Sequence, residues 1–467
     1  MTPSRSPSYL HLGRTEAGSS SMPETLSTAV AHADGTRRDV LAAAEAALLA
    51  AEPSALVRKK LKIQGNKLSV GGRSLDLDSL RRVVVVGGGK ASALMAAAVE
   101  RVLGERIDDG LVIVPDYQRD LPRLRKVRFA KSTHPLPSGM GERAVREMLR
   151  VLDGVGAGDL AVAVLSGGGS ALMPYPLKGV SVKEVAVTTD LLLKTGADIR
   201  ESNCVRKHLS RISGGRLVER ANGADVIALL ISDVVGDDLG SIASGPTAPD
   251  PTTFLDARRV LEDRGIWKKV PVSVRRVIAA GVSGSIEETP KPGSRLFDRV
   301  NNLIVGSNAD ACSAAKRALE SRGFRAALKT GVTGEARVVG RDLARLALSK
   351  RTRRWAVVWG GETTVTVVGK GVGGRNQEAA LAAAIELEGS SGAALACFGT
   401  DGIDGPTDSA GAVVDGTTLV RGSRRGLDAA EFLRNSDSHT FFRALGDLIF
   451  TGPTGTNVND VMIAAGG

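Results

Sequence analysis

The most informative stretch of the chain runs Val83-Val84-Val85-Val86-Gly87-Gly88-Gly89-Lys90-Ala91-Ser92. Four β-branched residues in a row are typical of a buried parallel strand. Three glycines and a lysine follow, and the alanine-rich run 91–103 predicts a helix. A strand, a glycine turn and a helix start gather backbone N–H groups and a positive dipole end around one point. That arrangement suits a phosphate, and Lys90 adds a full positive charge to it.

This loop matches neither of the two common nucleotide-binding patterns. The spacing G-x-x-x-x-G-K-[ST] is absent, and Ala93 stands where G-x-G-x-x-G requires its third glycine. Taken alone, the loop is equally compatible with a tight structural turn that carries a surface lysine.

A second unit of the same kind strengthens the functional interpretation. The predicted strand Leu160–Leu165 leads into Ser166-Gly167-Gly168-Gly169-Ser170. Because the carboxyl ends of parallel strands meet at one edge of a sheet, we expect both loops to face one crevice.

Composition excludes several classes of protein. A chain of 467 residues with 42% hydrophobic and 24% charged residues predicts a globular protein of two or three domains. No apolar run approaches the ~18 residues that span a membrane. Aromatic residues make up only 3% of the chain, which argues against base-stacking platforms. Three distant cysteines, Cys204, Cys312 and Cys397, predict a reduced compartment and no zinc site. We therefore expect a cytoplasmic protein with no membrane or nucleic-acid partner.

The formal charge of +11 has two interpretations. Basic residues gather at Arg119–Lys131, Arg200–Arg220 and Lys350–Arg354, where a solvated surface is the ordinary explanation. No nucleic-acid-binding signature accompanies them. Small anionic substrates account for part of the excess equally well.

The chain divides into a tail and two domains. Residues 1–35, rich in Ser, Thr, Pro and Gly without an apolar core, predict a disordered tail rather than a secretory signal, with Met1 and Met22 as alternative starts. We expect a first domain over 36–290 and a second over 291–467, because Gly, Ser, Pro and charged residues dominate Gly281–Arg295. The strand Leu303–Val305 is expected to open the second domain, and the last segment is a candidate to pack back on the first.

Acidic residues follow two further predicted strands. Asp233 comes just after Val226–Ile231, and Asp401, Asp404 and Asp408 follow Ala394–Phe398. Carboxylates at strand ends suit metal binding or proton transfer, although Asp also caps helices and forms turns.

No covalent nucleophile is indicated by the sequence. There is no G-x-S-x-G or H-E-x-x-H pattern, and we interpret His134 and His208 as isolated structural residues. Phosphoryl transfer needs only cations, N–H groups, a divalent metal and a carboxylate near the attacking hydroxyl. Two other classes stay open: a nicotinamide-dependent reductase acting on hydroxypyruvate, and a non-catalytic regulator that binds a nucleotide or a sugar acid.

Eight segments together resemble the glycerate 2-kinase family, also called class II glycerate kinases or the MOFRL family. They are Gly87–Ala91, Ser166–Leu172, Ile231–Asp238 with Ser244–Thr247, Gly360–Thr364, Gly373–Glu378, Gly399–Gly411 and Thr451–Asp460. The resemblance covers the chain from about Arg37 to the end. It implies a larger Rossmann-like α/β/α domain with a parallel sheet, a smaller α/β carboxyl-terminal domain, and an active site in the cleft between them.

The resemblance also implies the reaction: transfer of the γ-phosphoryl group of ATP to the 2-hydroxyl of D-glycerate, with Mg²⁺, by a monomer or small homo-oligomer. The family's candidate catalytic lysine matches Lys90, and its cleft arginine matches Arg375. We expect Lys90 to neutralise the transferred group and Arg375 to bind a carboxylate or phosphate through its planar fork. Asp233 is expected to act as base or metal ligand, with Asp401 as a second metal ligand. The remaining expected binding residues are Gly87, Gly88, Gly89, Ser166, Gly167, Gly168, Gly169, Ser170, Glu362, Asn376, Asp401, Asp404, Asp408 and Asn457.

Overall fold

The computed structural model describes residues 33, 35–349 and 354–467. The predicted tail lies almost wholly outside the described residues, as does most of the basic cluster Lys350–Arg354. The first strands, β1 (Leu61–Gln64), β2 (Lys67–Val70) and β3 (Arg73–Asp76), form a small antiparallel sheet. The hairpin between β2 and β3 turns at Gly71 and Gly72: both have positive φ, 54° and 82°, as a tight two-residue hairpin turn requires.

The first large sheet is fully parallel. Its strands are β4 (Val83–Gly88), β5 (Asp109–Pro115), β6 (Val127–Ser132), β7 (Leu160–Leu165), β8 (Asp225–Ile231) and β9 (Val300–Gly306). Their order is β6-β5-β4-β7-β8-β9. Successive strands are added toward one edge from β4 to β6 and toward the other edge from β7 to β9, so the order of addition reverses between β4 and β7. In a doubly wound sheet, ligands bind in the crevice at this reversal, outside the carboxyl ends of the strands.

Both faces of this sheet are covered, which explains the unbroken apolar strands. Val84 and Val86 pack on one face, and Val83 and Val85 pack on the other. A strand that is buried on two sides needs apolar residues at every position rather than at alternate ones. The predicted α/β class with a parallel sheet is therefore confirmed.

The second large sheet is mixed. Its strands are β10 (Arg325–Glu335), β11 (Trp355–Thr364), β12 (Ala393–Gly399), β13 (Gly411–Asp415), β14 (Leu448–Ile449) and β15 (Asp460–Gly466). In the order β10-β11-β15-β12-β13-β14, only the first pair is parallel, and the last strand of the chain lies in the middle.

Two adjacent glycines lie inside strand β11 without turning it. The strand runs on through Gly360 and Gly361, where a Cβ would lie 1.9 Å from Asn308 Oδ1 and 1.9 Å from the Val332 carbonyl oxygen. Close packing against neighbouring groups, not a turn, requires glycine here.

Helices cover the sheets. Those associated with the amino-terminal part are Pro53–Lys60, Ser92–Leu103, Gly139–Val151, Gly169–Leu172, Val182–Lys194, Ile199–His208, Arg216–Arg220, Phe254–Asp263 and Val272–Val282. The others are Gly35–Ala50, Asn308–Glu320, Ala336–Ser349, Arg375–Glu386, Thr418–Ser423, Ala429–Arg434 and Ser438–Leu445. Short 3-10 turns occur at Leu77–Ser79, Gly104–Arg106, Ile242–Ser244 and Arg295–Phe297.

Two elements pack on the opposite side of the expected domain boundary at residue 290. Strand β9, expected to open the second domain, pairs in parallel with β8 of the first sheet. Helix Gly35–Ala50 packs on Asn308–Glu320 and on the second sheet, and Arg37 pairs with Asp415 at 2.8 Å and Asp447 at 2.6 Å. A continuous apolar core consequently connects the two sheets.

Within the described residues, no single helix has the length and apolar character needed to cross a membrane. Only the bent pair Gly35–Ala50 and Pro53–Lys60 meets that test, by length and composition, when its two helices are taken together.

Candidate active site

Two glycine loops meet at the point where the strand order reverses. Gly87 and Gly89 have φ of +142° and +145°, a region that L side chains rarely adopt. A Cβ at Gly87 would lie 2.0 Å from the Val164 carbonyl oxygen, and one at Gly89 would lie 2.2 Å from Ser166 Oγ. The glycines therefore let the loop after β4 pack directly on the loop after β7.

Hydrogen bonds fix the two loops together. Lys90 N donates to the Gly167 carbonyl oxygen at 2.9 Å, and Ala91 N donates to Ser166 Oγ at 3.0 Å. Gly89 N donates to the Ile113 carbonyl oxygen at 3.2 Å. The amides around Gly89 and Lys90 are thus engaged inside the protein, and the visible role of this turn is to position Lys90.

The loop after β7 has free donors instead. In the described part of the chain, the amides of Gly167 and Gly168 have no hydrogen-bond acceptor. Ser170 Oγ lies 2.7 Å from Ser244 Oγ. Of the two predicted phosphate loops, this one keeps N–H groups available for an anion.

Lys90 and Asp401 face each other across the cleft. The Lys90 Nζ lies 3.7 Å from Asp401 Oδ2, and each side chain is about one quarter exposed, 26% and 27%. Both residues line a cavity of about 390 Å³ between the first sheet and the loop Pro453–Thr456. Lysine and carboxylate from the two halves of the chain therefore meet in one solvent-accessible space.

Asp233 lies beside this pair, at the end of β8. Its carboxylate covers the backbone of Gly167, where a Cβ would lie 2.0 Å from Asp233 Oδ2. Burial raises the pKa of Asp233 to about 6; the Lys90 charge opposes the rise, and Glu362 and Asp401 add to it. Asp233 is therefore ionised at neutral pH but holds a proton more readily than an ordinary Asp.

The planar guanidinium fork of Arg375 is occupied by carboxylates. Its Nε lies 2.7 Å from Asp460 Oδ2, its Nη2 donates to Asp460 Oδ1 at 3.0 Å, and its Nη1 donates to Glu362 Oε1 at 2.9 Å. Burial alone would lower the pKa of the guanidinium, but Asp460 and Glu362 outweigh that effect and raise it. Burial raises the pKa of Asp460 to about 6, still below neutral pH, so the pair is ionised.

Asp404 caps the helix that begins at Arg375. It is buried, and its carboxylate oxygens accept from Asn376 N at 3.0 Å and Gln377 N at 2.8 Å. Asn376 Nδ2 donates to both Asp404 Oδ1, at 3.2 Å, and Asp460 Oδ1, at 3.0 Å. These predicted binding residues thus hold the helix start and Asp460 in place.

Two other predicted binding residues have local partners. Asp408 is exposed and forms a bidentate pair with Arg443 at 2.8 and 2.7 Å. Asn457 Oδ1 accepts from Asn459 N at 3.0 Å within its own turn. Neither contact brings its carboxylate or amide to Lys90.

His134, which the sequence places in a loop, lies beside Lys90 at the second glycine loop. A Cβ at Gly168 would lie 3.1 Å from His134 Cδ2 and Nε2 and 3.4 Å from Lys90 Cγ, so both side chains cover that glycine. Burial and the Lys90 charge lower the pKa of His134 to about 4, which keeps the ring neutral at pH 7. Its sequence neighbours, Pro135 and Pro137, gave no sign of this proximity, because the contact depends on how two loops meet.

Asp460 is a second residue that sequence reasoning did not single out.

Among the described residues, no group of three or more His, Cys, Asp or Glu side chains is arranged to hold a metal by itself. The cleft nevertheless offers a donor set that Mg²⁺ accepts: Mg²⁺ commonly takes one or two protein carboxylates and completes its shell with substrate phosphate and water. Asp233 and Asp401 fit that pattern, since Asp401 lines the cavity beside Lys90 and its charge acts on Asp233.

Comparison with known proteins follows the two halves of the chain. Residues 39–279 match a domain of unknown function, DUF4147, and residues 355–460 match the MOFRL family. The chain is 42% identical over 392 residues to the D-glycerate 2-kinase of Thermotoga maritima, which covers 82% of this chain and 91% of that protein. It is 40% identical over 388 residues to a putative hydroxypyruvate reductase of Agrobacterium vitis, covering 81% and 86% of the two chains.

A solved structure shares the whole architecture. The crystal structure of a glycerate kinase from Thermotoga maritima superposes with a TM-score of 0.81 at 38% identity, over 92% of this chain and 99% of that chain. The likeness thus extends through both sheets and the cleft between them. On these matches, the chain belongs to the glycerate 2-kinase family, whose carboxyl-terminal part carries the MOFRL name.

Proposed function

We propose that this protein transfers the γ-phosphoryl group of ATP to the 2-hydroxyl of D-glycerate, giving 2-phosphoglycerate and ADP. The observation that carries the proposal is the meeting of Lys90, Asp401 and Asp233 at the sheet reversal, with 3.7 Å between Lys90 Nζ and Asp401 Oδ2. One cation and two carboxylates in one cleft match what phosphoryl transfer needs from a protein.

Lys90 acts on the charge of the transferred group. Its ammonium is a compact, mobile charge held at the carboxyl end of β4, where a γ-phosphoryl group bound on the Ser166–Ser170 loop would be within its reach. Negative charge that shifts during transfer is then stabilised by Lys90, which lowers the barrier.

Asp233 has two candidate roles, proton acceptor and metal ligand. As acceptor, it takes the proton of the 2-hydroxyl while that oxygen forms its bond to the γ-phosphorus and the bond to the bridging oxygen of ADP breaks. A pKa of about 6 keeps it ionised and basic at pH 7.

Asp233 and Asp401 are also the carboxylates that would hold Mg²⁺ together with phosphate oxygens of ATP. Bound there, the cation would offset charge on the phosphates.

The occupied fork of Arg375 changes the role that the family resemblance implied. Because Asp460 takes two of its nitrogens and Glu362 a third, we propose that Arg375 positions Glu362 at the edge of the cleft. A direct contact with a glycerate carboxylate would require the bond to Glu362 to open.

The reductase alternative has less support. Its dinucleotide pattern needs a glycine where this chain has Ala93, which is fully buried in the first turn of the helix Ser92–Leu103. The Lys90–Asp401 pair also has no evident task in hydride transfer.

Phosphorus NMR of a mixture with D-glycerate, ATP and Mg²⁺ tests the proposal. The expected product is 2-phosphoglycerate, formed in step with ADP. Formation of the 3-phosphate would contradict the assigned acceptor oxygen. Oxidation of NADH or NADPH with hydroxypyruvate, in the absence of any phosphorylated product, would establish the reductase instead.

A further inference from the structure

A second cavity opens on the other side of the Ser166–Ser170 loop. It measures about 360 Å³, a size common for small-molecule sites. Its walls are mostly apolar: they are formed by residues 135–137 and 173–176 and by one face of the helix Val182–Lys194. A wall of this kind suits a flat, weakly polar group such as a purine base rather than glycerate, which carries a charge and two hydroxyls on three carbons.

One end of this cavity is polar and positively charged. Ser170, Ser244 and Arg206 all line it. Ser170 Oγ lies 2.7 Å from Ser244 Oγ, and Ser244 Oγ donates to Asn203 Oδ1 at 3.0 Å. Arg206 Nη2 donates to the same oxygen. A continuous chain of hydrogen bonds therefore leads from the free-amide loop to Arg206.

Arg206 is partly buried and lacks the anion that a guanidinium in such a position normally has. It forms no ion pair with any residue that the structure describes, and its buried Nε has no hydrogen-bond partner. Burial lowers the pKa of Arg206, and no carboxylate offsets this cost. The lining of the cavity includes one carboxylate, Asp190, which lies at the exposed rim and pairs with Lys194 at 2.7 Å. A partly buried cation without an anionic partner, at the polar end of a cavity, points to an anionic ligand.

The loops that line this cavity also reach the Lys90 site. Ser170 belongs to the loop that also contains Gly168, and Gly168 contacts both His134 and Lys90. The next residues after His134, Pro135–Pro137, form part of the apolar wall. A molecule seated in the cavity could therefore extend a chain of phosphates along the loop to Lys90.

We propose that this cavity binds ATP, with the purine nucleoside against its apolar wall and Arg206, Ser170 and Ser244 on the phosphates nearer the nucleoside. The inference rests on the proposed kinase function and deepens it, because it leaves the cavity of Lys90, Asp401 and Thr454 to the acceptor acid. The Lys90 cavity carries the polar side chains that glycerate requires, including Gln118 and Arg119.

Variants that fill the cavity or remove its positive charge test this assignment. Ala186 lies on the wall at a partly exposed position, so Ala186→Phe should fill the space without disturbing the core. Val187→Phe is the control: it introduces the same phenylalanine side chain one residue along the helix, at a position that is 42% exposed and does not line the cavity. Arg206→Gln keeps a polar side chain but removes the charge.

Titration calorimetry with ADP and with tripolyphosphate gives the readout, together with KM for ATP and for D-glycerate. Ala186→Phe should lower the affinity for ADP at least tenfold and change the affinity for tripolyphosphate by no more than about twofold. Arg206→Gln should lower the affinity for both ligands about tenfold or more. Val187→Phe should match the parent in every value. KM for ATP should rise in the first two variants, and KM for glycerate should not.

Three results would overturn the assignment. Unchanged ADP affinity in Ala186→Phe would remove the nucleoside from the cavity, and unchanged tripolyphosphate affinity in Arg206→Gln would remove the phosphates from Arg206. A rise in KM for glycerate alone, in variants of a parent that still phosphorylates glycerate, would show that the acid and not ATP occupies this cavity. The kinase function would then be retained and only the assignment of the cavity would be wrong. A parent protein that neither binds ADP nor phosphorylates glycerate would contradict the proposed function itself.

Discussion

Gly167 and Asp233 pack so closely that a single methyl group at Gly167 would lie 2.0 Å from the Asp233 carboxylate. The glycine comes from the loop after β7, and the aspartate from the end of β8, the next strand of the sheet. The backbone of one loop is thus the surface on which the carboxylate of the other rests, and this contact sets where Asp233 points.

The first prediction follows from this contact. Gly167→Ala should displace Asp233 and reduce kcat about tenfold or more, because a misplaced catalytic group loses much of its effect. Gly167 has an ordinary φ, so the new methyl group and not backbone strain causes the loss. Gly156→Ala is the control, since its nearest neighbour would be 3.5 Å away. Equal activity of both variants with the parent, in steady-state assays, would refute the positioning role of Gly167.

The second prediction concerns pH and activity. With burial raising the pKa of Asp233 to about 6, kcat/KM for glycerate should fall about tenfold per pH unit below that value and stay level above it. Both candidate roles of Asp233 require its ionised form, so the direction is the same for each. Asp233→Asn should lower the rate about 100-fold at pH 8 and flatten the acid limb. A parent profile that stays level down to pH 5 would contradict this assignment.

The third prediction concerns pH and stability at the same residue. The folded pKa of about 6 lies above the ordinary Asp value of about 4, so the folded state binds a proton more tightly than the unfolded chain. The free energy of unfolding should therefore fall as pH rises from about 4 to about 6, and stay lower above that. Asp233→Asn removes the penalty, so its melting temperature should exceed that of the parent at pH 8 and approach it at pH 4.5. A variant that melts below the parent at pH 8 would contradict the shift.

The fourth prediction concerns the contribution of the Arg375–Asp460 pair to stability. Arg375→Ala leaves Asp460 buried without its partner and should lower the free energy of unfolding by about 3–5 kcal/mol. Adding Asp460→Asn should recover part of that loss. Urea unfolding at pH 8 measures both.

Arg443→Ala is the matched control for Arg375, because the Arg443–Asp408 pair is exposed on both sides. It should cost less than about 1 kcal/mol. Equal losses in Arg375→Ala and Arg443→Ala would show that the buried pair contributes no more than a surface one.

The sequence pattern predicted the strands, the glycine turns and the residues that directly follow them, because these depend on neighbouring residues in the chain. The apolar run Val83–Val86 and the glycines after it gave the strand, the turn and the position of Lys90, because each depends on adjacent residues. The same holds for the second loop after Leu160–Leu165 and for Asp233 at the end of its strand. The placement of loops at one crevice followed from parallel strands alone.

Long-range pairings could not be predicted in this way. Arg375 meets Asp460, and Asp404 caps the helix at Asn376, because β15 inserts between β11 and β12. Nothing local distinguishes Asp404, a buried cap, from Asp401, which faces Lys90. The strand β9 was assigned to the wrong sheet for the same reason: its apolar pattern fits either one.

The central claim is that Lys90 stabilises the transferred phosphoryl group, and kcat of Lys90→Ala tests it most directly. The Lys90–Asp401 pair is partly exposed and 3.7 Å long, so its loss should leave the melting temperature nearly unchanged. With D-glycerate, ATP and Mg²⁺, kcat should fall about 100-fold or more while KM for ATP changes only a few-fold, since the lost interaction is strongest in the transition state. A folded Lys90→Ala protein with kcat within about threefold of the parent would contradict the account.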